Sequence, residues 1–442
     1  MRTRVTVALL CLAFAALAGW PAFVAHRTAS DDVATASVEF TPAPVTQDYL
    51  QRDHFVEFYE GAVRRSPGDQ IMARMLASQY LMRFRERGDI GDLRRARVAA
   101  QRSLKIQPRE NSGAESALAS VALALHKFRD AQTYDADVVR MQPWSTGAAA
   151  TLASTDMELG EYDAAASLLG KQPSPYLDAT WESTVARYDE LTGKLQAARA
   201  HITRGMQQAD SVFDNPAEAR AWYHFRAGEL AFEAGDVAAA ERDQRAALAI
   251  FPTDAKAYNA LARLYCAEHR WRDALDAADR GADLIPLPET LGYKVDAQRA
   301  LGDTESARET DDLIGAVERI GNANGINDRA IAVYESEHGE RLADAVRIAR
   351  RDLAARDDIF AEDTLAWALA MDGQWIEARP HAVRAVATGI EDSRIQYHAG
   401  VIALHTGHAA EARERLRLAV AVNPHFHPVY ADDARRRLGS LR

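Results

Sequence analysis

One alanine recurs along most of this chain at a nearly constant step. Ala96, Ala131, Ala165, Ala198, Ala240, Ala274, Ala307, Ala345, Ala378 and Ala412 are separated by 35, 34, 33, 42, 34, 33, 38, 33 and 34 residues. A period of 34 residues kept up in this way constrains the fold more than composition can, because it means that one supersecondary unit is stacked on copies of itself. A length of 442 residues would otherwise suggest two or three ordinary domains. The repeat predicts one elongated array instead.

One unit, of which the others are variations, runs from residue 255 to 286. It reads Tyr258-x-x-Leu261-Ala262-x-x-Tyr265, a polar turn at Glu268-His269-Arg270-Trp271, then Ala274-x-x-x-Ala278 and a closing Pro286. Leu261 and Tyr265 share a helical face by their i, i+4 spacing. Ala262 and Ala274 are small enough to let two antiparallel helices approach closely. Pro286 ends the second helix. One such pair cannot bury its own apolar face, so stacking must do it.

These residues resemble the tetratricopeptide repeat (TPR), whose signature is W-x2-L-G-x2-Y, then A-x3-F, then P. Tyr258 stands for Trp, Ala262 for Gly and Ala278 for Phe, all changes of volume within one packing scheme. Pro108, Pro143, Pro252 and Pro424 close other units, and Gly160-Glu161, Gly235-Asp236, Gly373-Gln374 and Gly407-His408 mark their turns. The resemblance implies an all-α, right-handed solenoid of about ten TPR helix-turn-helix repeats over residues 69–424, with insertions near 210–216 and 321–325. The first insertion contains Asp214-Asn215-Pro216, a helix start. The second, Gly321-Asn322-Ala323-Asn324-Gly325, reads as a flexible loop. Periodic Leu50, Phe55, Phe58, Tyr59 and Val63 predict an N-terminal capping helix over 48–68, and residues 425–442 predict a C-terminal one.

Before the array, Arg2 and Arg4 precede an uncharged stretch at residues 5–25. This is the pattern of an export signal, with Ala16-Leu17-Ala18 as a cleavage site, or of an uncleaved membrane anchor. Both place the repeats outside the cytoplasm, periplasmic or extracellular. Residues 26–47 read as a flexible spacer. Cys11 and Cys266 cannot form a framework disulfide within the folded part, and Cys266 reads as a small buried hydrophobe. The net charge of −11 is spread over mixed-sign helices and signals solubility. Arg83, Arg85, Arg87, Arg94, Arg95, Arg97 and Arg102 are interleaved with Glu86, Asp89 and Asp92 and have few aromatic stacking partners, which argues against nucleic acid.

No phosphate loop, dinucleotide fingerprint, zincin helix, EF-hand or nucleophile elbow is present, so no cofactor and no catalytic residue is expected. In the TPR family the first helices line a concave groove that takes an extended peptide or a partner helix. Carried over repeat by repeat, the resemblance points to Trp222, Phe225 and Glu229, to Lys256, Asn259 and Arg263, to Phe360, Asp363 and Trp367, and to Arg394 and Tyr397. Aromatic and Arg side chains are the types that anchor interfaces. The expected function is a non-catalytic protein-protein interaction scaffold. The competing expectation is a metal-binding or metal-handling exported protein that uses His398, His405, His408, His425 and His427, since imidazoles suit Zn, Cu or Ni.

Overall fold

The computed structural model describes residues 41–171, 178–324 and 328–441. Ten helix pairs follow one another there, each as first helix and second helix. They are α2 (Gln70–Arg87) with α3 (Ile90–Ile106), α4 (Ser112–Ala124) with α5 (Phe128–Met141), α6 (Thr146–Glu158) with α7 (Tyr162–Lys171), and α8 (Ala179–Leu191) with α9 (Leu195–Ser211). Next come α10 (Ala217–Glu233) with α11 (Val237–Ile250), α12 (Ala255–Ala267) with α13 (Trp271–Leu284), and α14 (Pro288–Ala300) with α15 (Thr304–Asn324). The last three pairs are α16 (Asp328–His338) with α17 (Leu342–Ala355), α18 (Ile359–Met371) with α19 (Trp375–Ala385), and α20 (Ser393–His405) with α21 (Ala409–Val422). Helix α1 (Arg52–Arg65) precedes them and α22 (Tyr430–Ser440) follows. Each first helix packs on the second helix of its own pair, and each second helix on the first helix of the next.

All ten of the periodic alanines are buried, none more than 2% exposed. They sit where second helix meets first, so the step of the sequence is the step of the solenoid. Aspartates start many first helices. Asp69, Asp178, Asp254, Asp358 and Asp392 each accept a backbone N–H of the first turn, satisfying donors that the helix itself leaves unpaired.

Two expectations need correction. The stretch ending in Asn324 is helical, because α15 runs on through Asn324 with Ile314 and Gly321 buried against the array. Tertiary packing there outweighs the poor helix propensity of Gly and Asn. The end of the spacer is also not free. Ala43 N–H donates to the Asp210 carbonyl (2.7 Å), Arg220 donates to the Ala43 carbonyl (2.7 Å), and the Thr46 hydroxyl donates to the Asn215 carbonyl (3.1 Å). Pro216 offers α10 no capping side chain, and Asp48 supplies one from 169 residues away by accepting Ala217 N–H at 2.9 Å. The apolar stretch at 5–25 lies outside the described residues, and among those that are described no helix is long and apolar enough to cross a membrane.

The solenoid also touches itself. Ile359 N–H donates to the Tyr162 hydroxyl (3.0 Å), Arg356 reaches Glu158 (3.4 Å) and lies over the Phe128 ring (5.0 Å), and the Asn423 side-chain amide donates to the Phe232 carbonyl (2.7 Å). These pairs are 191 to 228 residues apart, so one superhelical turn lies directly on the next. The approach is close enough to exclude a side chain at Gly193, whose left-handed φ is +71° and where a Cβ would fall 2.2 Å from the Gly389 carbonyl oxygen. The first helices therefore face an enclosed interior, not an open trough.

Candidate functional site

The first helices α8, α10, α12, α14 and α16 turn a row of charged and aromatic side chains towards this interior. Arg187 and Arg226 both pair with Glu190, at 2.5 and 2.8 Å. One repeat on, Arg263 pairs with Glu229 at 2.7 Å and lies over the Phe232 ring at 4.5 Å. Arg394, at the start of α20, approaches Glu337 at 3.7 Å, and His427 Nε2 approaches the same carboxylate at 3.9 Å. Protein surrounds these groups, yet the Arg263 and Arg394 side chains keep 28% and 35% of their exposure. They line a space that solvent still enters.

That space narrows to a cavity of about 80 Å³ lined by residues that include Phe232, Glu233, Arg263, Tyr293, Ser393 and Arg394. The electrostatics differ sharply between two of its three carboxylates, Glu337 and Glu233. Burial works to raise the Glu337 carboxyl, but the His427 hydrogen bond and the charges of His427 and Arg394 outweigh it and hold it down to about 2. Burial, with Glu190 next, drives Glu233 well above the ordinary carboxylate range, and the charge of Arg226 offsets this only in part. Burial likewise raises the Tyr293 hydroxyl.

Three of the expected groove residues meet around this space: Glu229, Arg263 and Arg394. Phe360 is half-buried in the interior under Arg187 (4.9 Å) and Arg329 (5.8 Å). Asn259 is used structurally, its side-chain oxygen accepting from the Thr290 hydroxyl at 3.0 Å. Phe225 packs on the cluster around Ala217, Ala221 and Phe251, Trp222 makes an edge contact with Tyr223 at 5.0 Å, and Lys256 is exposed beside Glu218. Asp363, Trp367 and Tyr397 are not on an exposed groove at all. They are 5%, 4% and 3% exposed, with Trp367 stacked on His398 at 4.1 Å, Asp363 paired with His398 at 3.0 Å and the Tyr397 hydroxyl donating to Asp433 at 2.8 Å. The large rings fill the gap between the ninth and tenth repeats and the cap, where burial outweighs any gain from facing solvent.

The histidines do not converge. His398 is core, His405 stacks on Trp375 at 3.8 Å, His408 lies beside the Thr406 hydroxyl, and His427 Nδ1 accepts from the backbone of Val429 and Tyr430. His425 and His427 line one surface depression with His269, and His398, His405 and His408 are not part of it. Among the described residues no group of three or more His, Cys, Asp or Glu is placed to hold a metal ion. Cys266 is buried, burial pushes its thiol up, and its sulfur lies 3.6 Å from the Tyr293 carbonyl, as a small core residue would. Four arginines of α2 and α3 are held by carboxylates, Arg83 by Asp92 and Asp53, Arg87 by Asp53, Arg85 by Glu218 and Arg95 by Asp92, while Arg102 donates to the Pro67 carbonyl.

Sequence reasoning missed Glu233, Tyr293, Glu337 and Ser393. Tyr293 was within reach, since Phe225, Asn259 and Tyr293 stand one 34-residue step apart. Ser393 and His427 were not, because they enter from the following superhelical turn.

No protein-family model and no curated protein matches this sequence. Among solved structures, human IFIT1, in a dimer with PPP-AAAA, superposes with a TM-score of 0.50 at 14% identity, covering 76% of this chain and 78% of that one. Yeast Tom70 superposes at 0.34 with 12% identity over 88% and 93% of the two chains. PilW, a type IV pilus biogenesis factor, does so at 0.33 with 18% identity over 56% and 92%. At such identities the likeness concerns the fold. With ten stacked helix pairs in register with the 34-residue period, the chain is in fold a TPR-type helical-repeat solenoid.

Proposed function

We propose that this protein is a non-catalytic protein-protein interaction scaffold that works outside the cytoplasm and receives a partner segment on the inner face of its solenoid. The observation that carries the reading is the interior row of charged side chains. Arg263, Arg394 and Glu233 keep solvent contact while protein encloses them, which is the setting in which polar groups fix the register and orientation of a bound chain. The extracytoplasmic setting is supported by the positively charged start and uncharged stretch of residues 5–25.

The test is affinity capture from envelope extracts with the full chain as bait, beside an Arg263→Ala/Arg394→Ala variant. Capture of one dominant protein by the wild type and its loss with the variant is expected. Equal recovery from both moves the working surface off the inner face. A fusion of residues 1–40 to a reporter that is active only outside the cytoplasm tests the location, and an inactive fusion refutes it.

A further inference from the structure

The cavity at the end of α10 contains polar groups that the fold leaves without partners. Ser393 is 5% exposed and its hydroxyl has no hydrogen bond. The Glu233 carboxylate has no ion pair, although Glu190 is held by Arg187 and Arg226 and Glu229 by Arg263, while Asp392 accepts Ile395 N–H at 2.9 Å. A buried polar group left unsatisfied is costly, so the Ser393 hydroxyl, at a cavity where the half-buried Glu233 carboxylate also lacks a counter-ion, indicates something that is meant to enter it. One water needs only about 10–15 Å³ on this measure, and about 80 Å³ leaves room for a head group with a short carbon chain.

The chemistry of the lining selects the sign of that head group. Glu233 is the last residue of α10, at the negative end of the helix dipole, with Glu190, Glu229 and Asp392 as its nearest acidic neighbours. The guanidinium groups nearby already belong to other carboxylates. Phe232 and Tyr293 contribute aromatic surface, which tolerates an organic cation.

We propose that this cavity binds a primary alkylammonium group, which donates to the Glu233 carboxylate and the Ser393 hydroxyl while its carbon chain lies along Phe232 and Tyr293. The proposal rests on the reading of the inner face as the working surface and deepens it, since the ammonium would belong to a lysine side chain of the bound segment or to a free diamine. A cation supplies what the site lacks, a counter-charge for Glu233 and a hydrogen-bond donor for Ser393.

Calorimetric titration of the full chain tests it with n-butylammonium, neutral n-butanol, putrescine and a lysyl tripeptide blocked at both ends. The wild type should prefer n-butylammonium to n-butanol by about tenfold or more, as a charge-assisted hydrogen bond implies. Glu233→Gln should abolish that preference without lowering the melting temperature, because it removes an unpartnered carboxylate. Ser393→Ala should weaken it by a smaller factor, and provides a second reading should Glu233→Gln misfold. Binding of the tripeptide assigns the ammonium to a lysine of a partner, and binding of putrescine alone assigns it to a free diamine. Equal affinity for alcohol and ammonium, no binding of any probe, or an undiminished preference in both variants overturns the site. Ammonium binding without capture of any envelope protein would leave this site standing and refute the scaffold. Capture that survives Glu233→Gln in a protein blind to the amine probes would do the reverse.

Discussion

The fourth and ninth repeats carry the same polar device and use it on opposite kinds of surface. In the fourth, Glu182 of α8 receives Arg204 of α9 at 3.2 Å and lies 2.7 Å from His201. In the ninth, Glu362 of α18 receives Arg384 of α19 and lies 2.5 Å from His381. The spacing is 19 residues to the histidine and 22 to the arginine in both. Five residues beyond the glutamate the two part company. Arg187 points into the interior, on Glu190 and over Phe360, whereas Trp367 is buried against His398 and Tyr430. The turns differ in the same sense. Gly193 is pressed against the next superhelical turn, while Gly373, with a similar φ of +81°, has nothing within 4 Å of where a Cβ would stand. One repeat scaffold thus serves as lining or as core, according to what the superhelix lays on it.

Three substitution pairs would break or sharpen this contrast. Trp367→Ala should cost about 3–5 kcal/mol as a large ring leaves a packed core, whereas Arg187→Ala should cost at most about 1 kcal/mol. Urea unfolding followed by near-ultraviolet dichroism measures both, and equal costs would mean that Arg187 is core as well. Next in size, Gly193→Ala combines left-handed strain with a collision at the Gly389 carbonyl and should lose about 2–4 kcal/mol, against about 1 kcal/mol of strain alone for Gly373→Ala. Amide hydrogen exchange should show the first loosening residues on both superhelical turns and the second loosening only its own repeat. An identical pattern would deny the contact between turns.

The smallest effect probes the shared device itself. Burial alone would raise Glu182 and Glu362, but the histidine and arginine beside each outweigh it and hold both below the ordinary glutamate range. A depressed carboxylate stabilises the fold above its unfolded pKa and loses that contribution as pH falls towards the folded value. Glu182→Gln and Glu362→Gln should therefore each cost about 1–2 kcal/mol at pH 7 and little at pH 3, a magnitude set by hydrogen bonds to a charged group. Thermal unfolding across that range should give matching profiles. A clear difference between the two would mean that the surroundings, and not the triad, govern them.

Much of the architecture was legible in the amino-acid order. The ten alanines predict ten helix pairs because only a small side chain lets two helices approach, and each is buried where the period places it. The helices at the two ends of the array, α1 and α22, were legible for similarly local reasons, periodicity and breakers. The run through Asn324 was misread as a loop because glycine and asparagine are weak helix formers only until packing intervenes. Of the site, Glu229, Arg263 and Arg394 were found by register, while Trp367 and Tyr397 were assigned to a surface that does not exist around them. Periodicity tells which helix face a residue is on, and not whether another element covers that face.

What this sequence determined alone is the unit and its repetition, since helix, turn and alanine contact all lie within about forty residues of one another. What only the tertiary structure decided is the coiling of the array onto itself. That coiling brings Ser393 and His427 to Glu233, Asp48 to the start of α10 and Gly389 to Gly193, across separations of 160 residues or more. The small angle between one repeat and the next sets these meetings, and it accumulates over several interfaces of which no single motif holds the record.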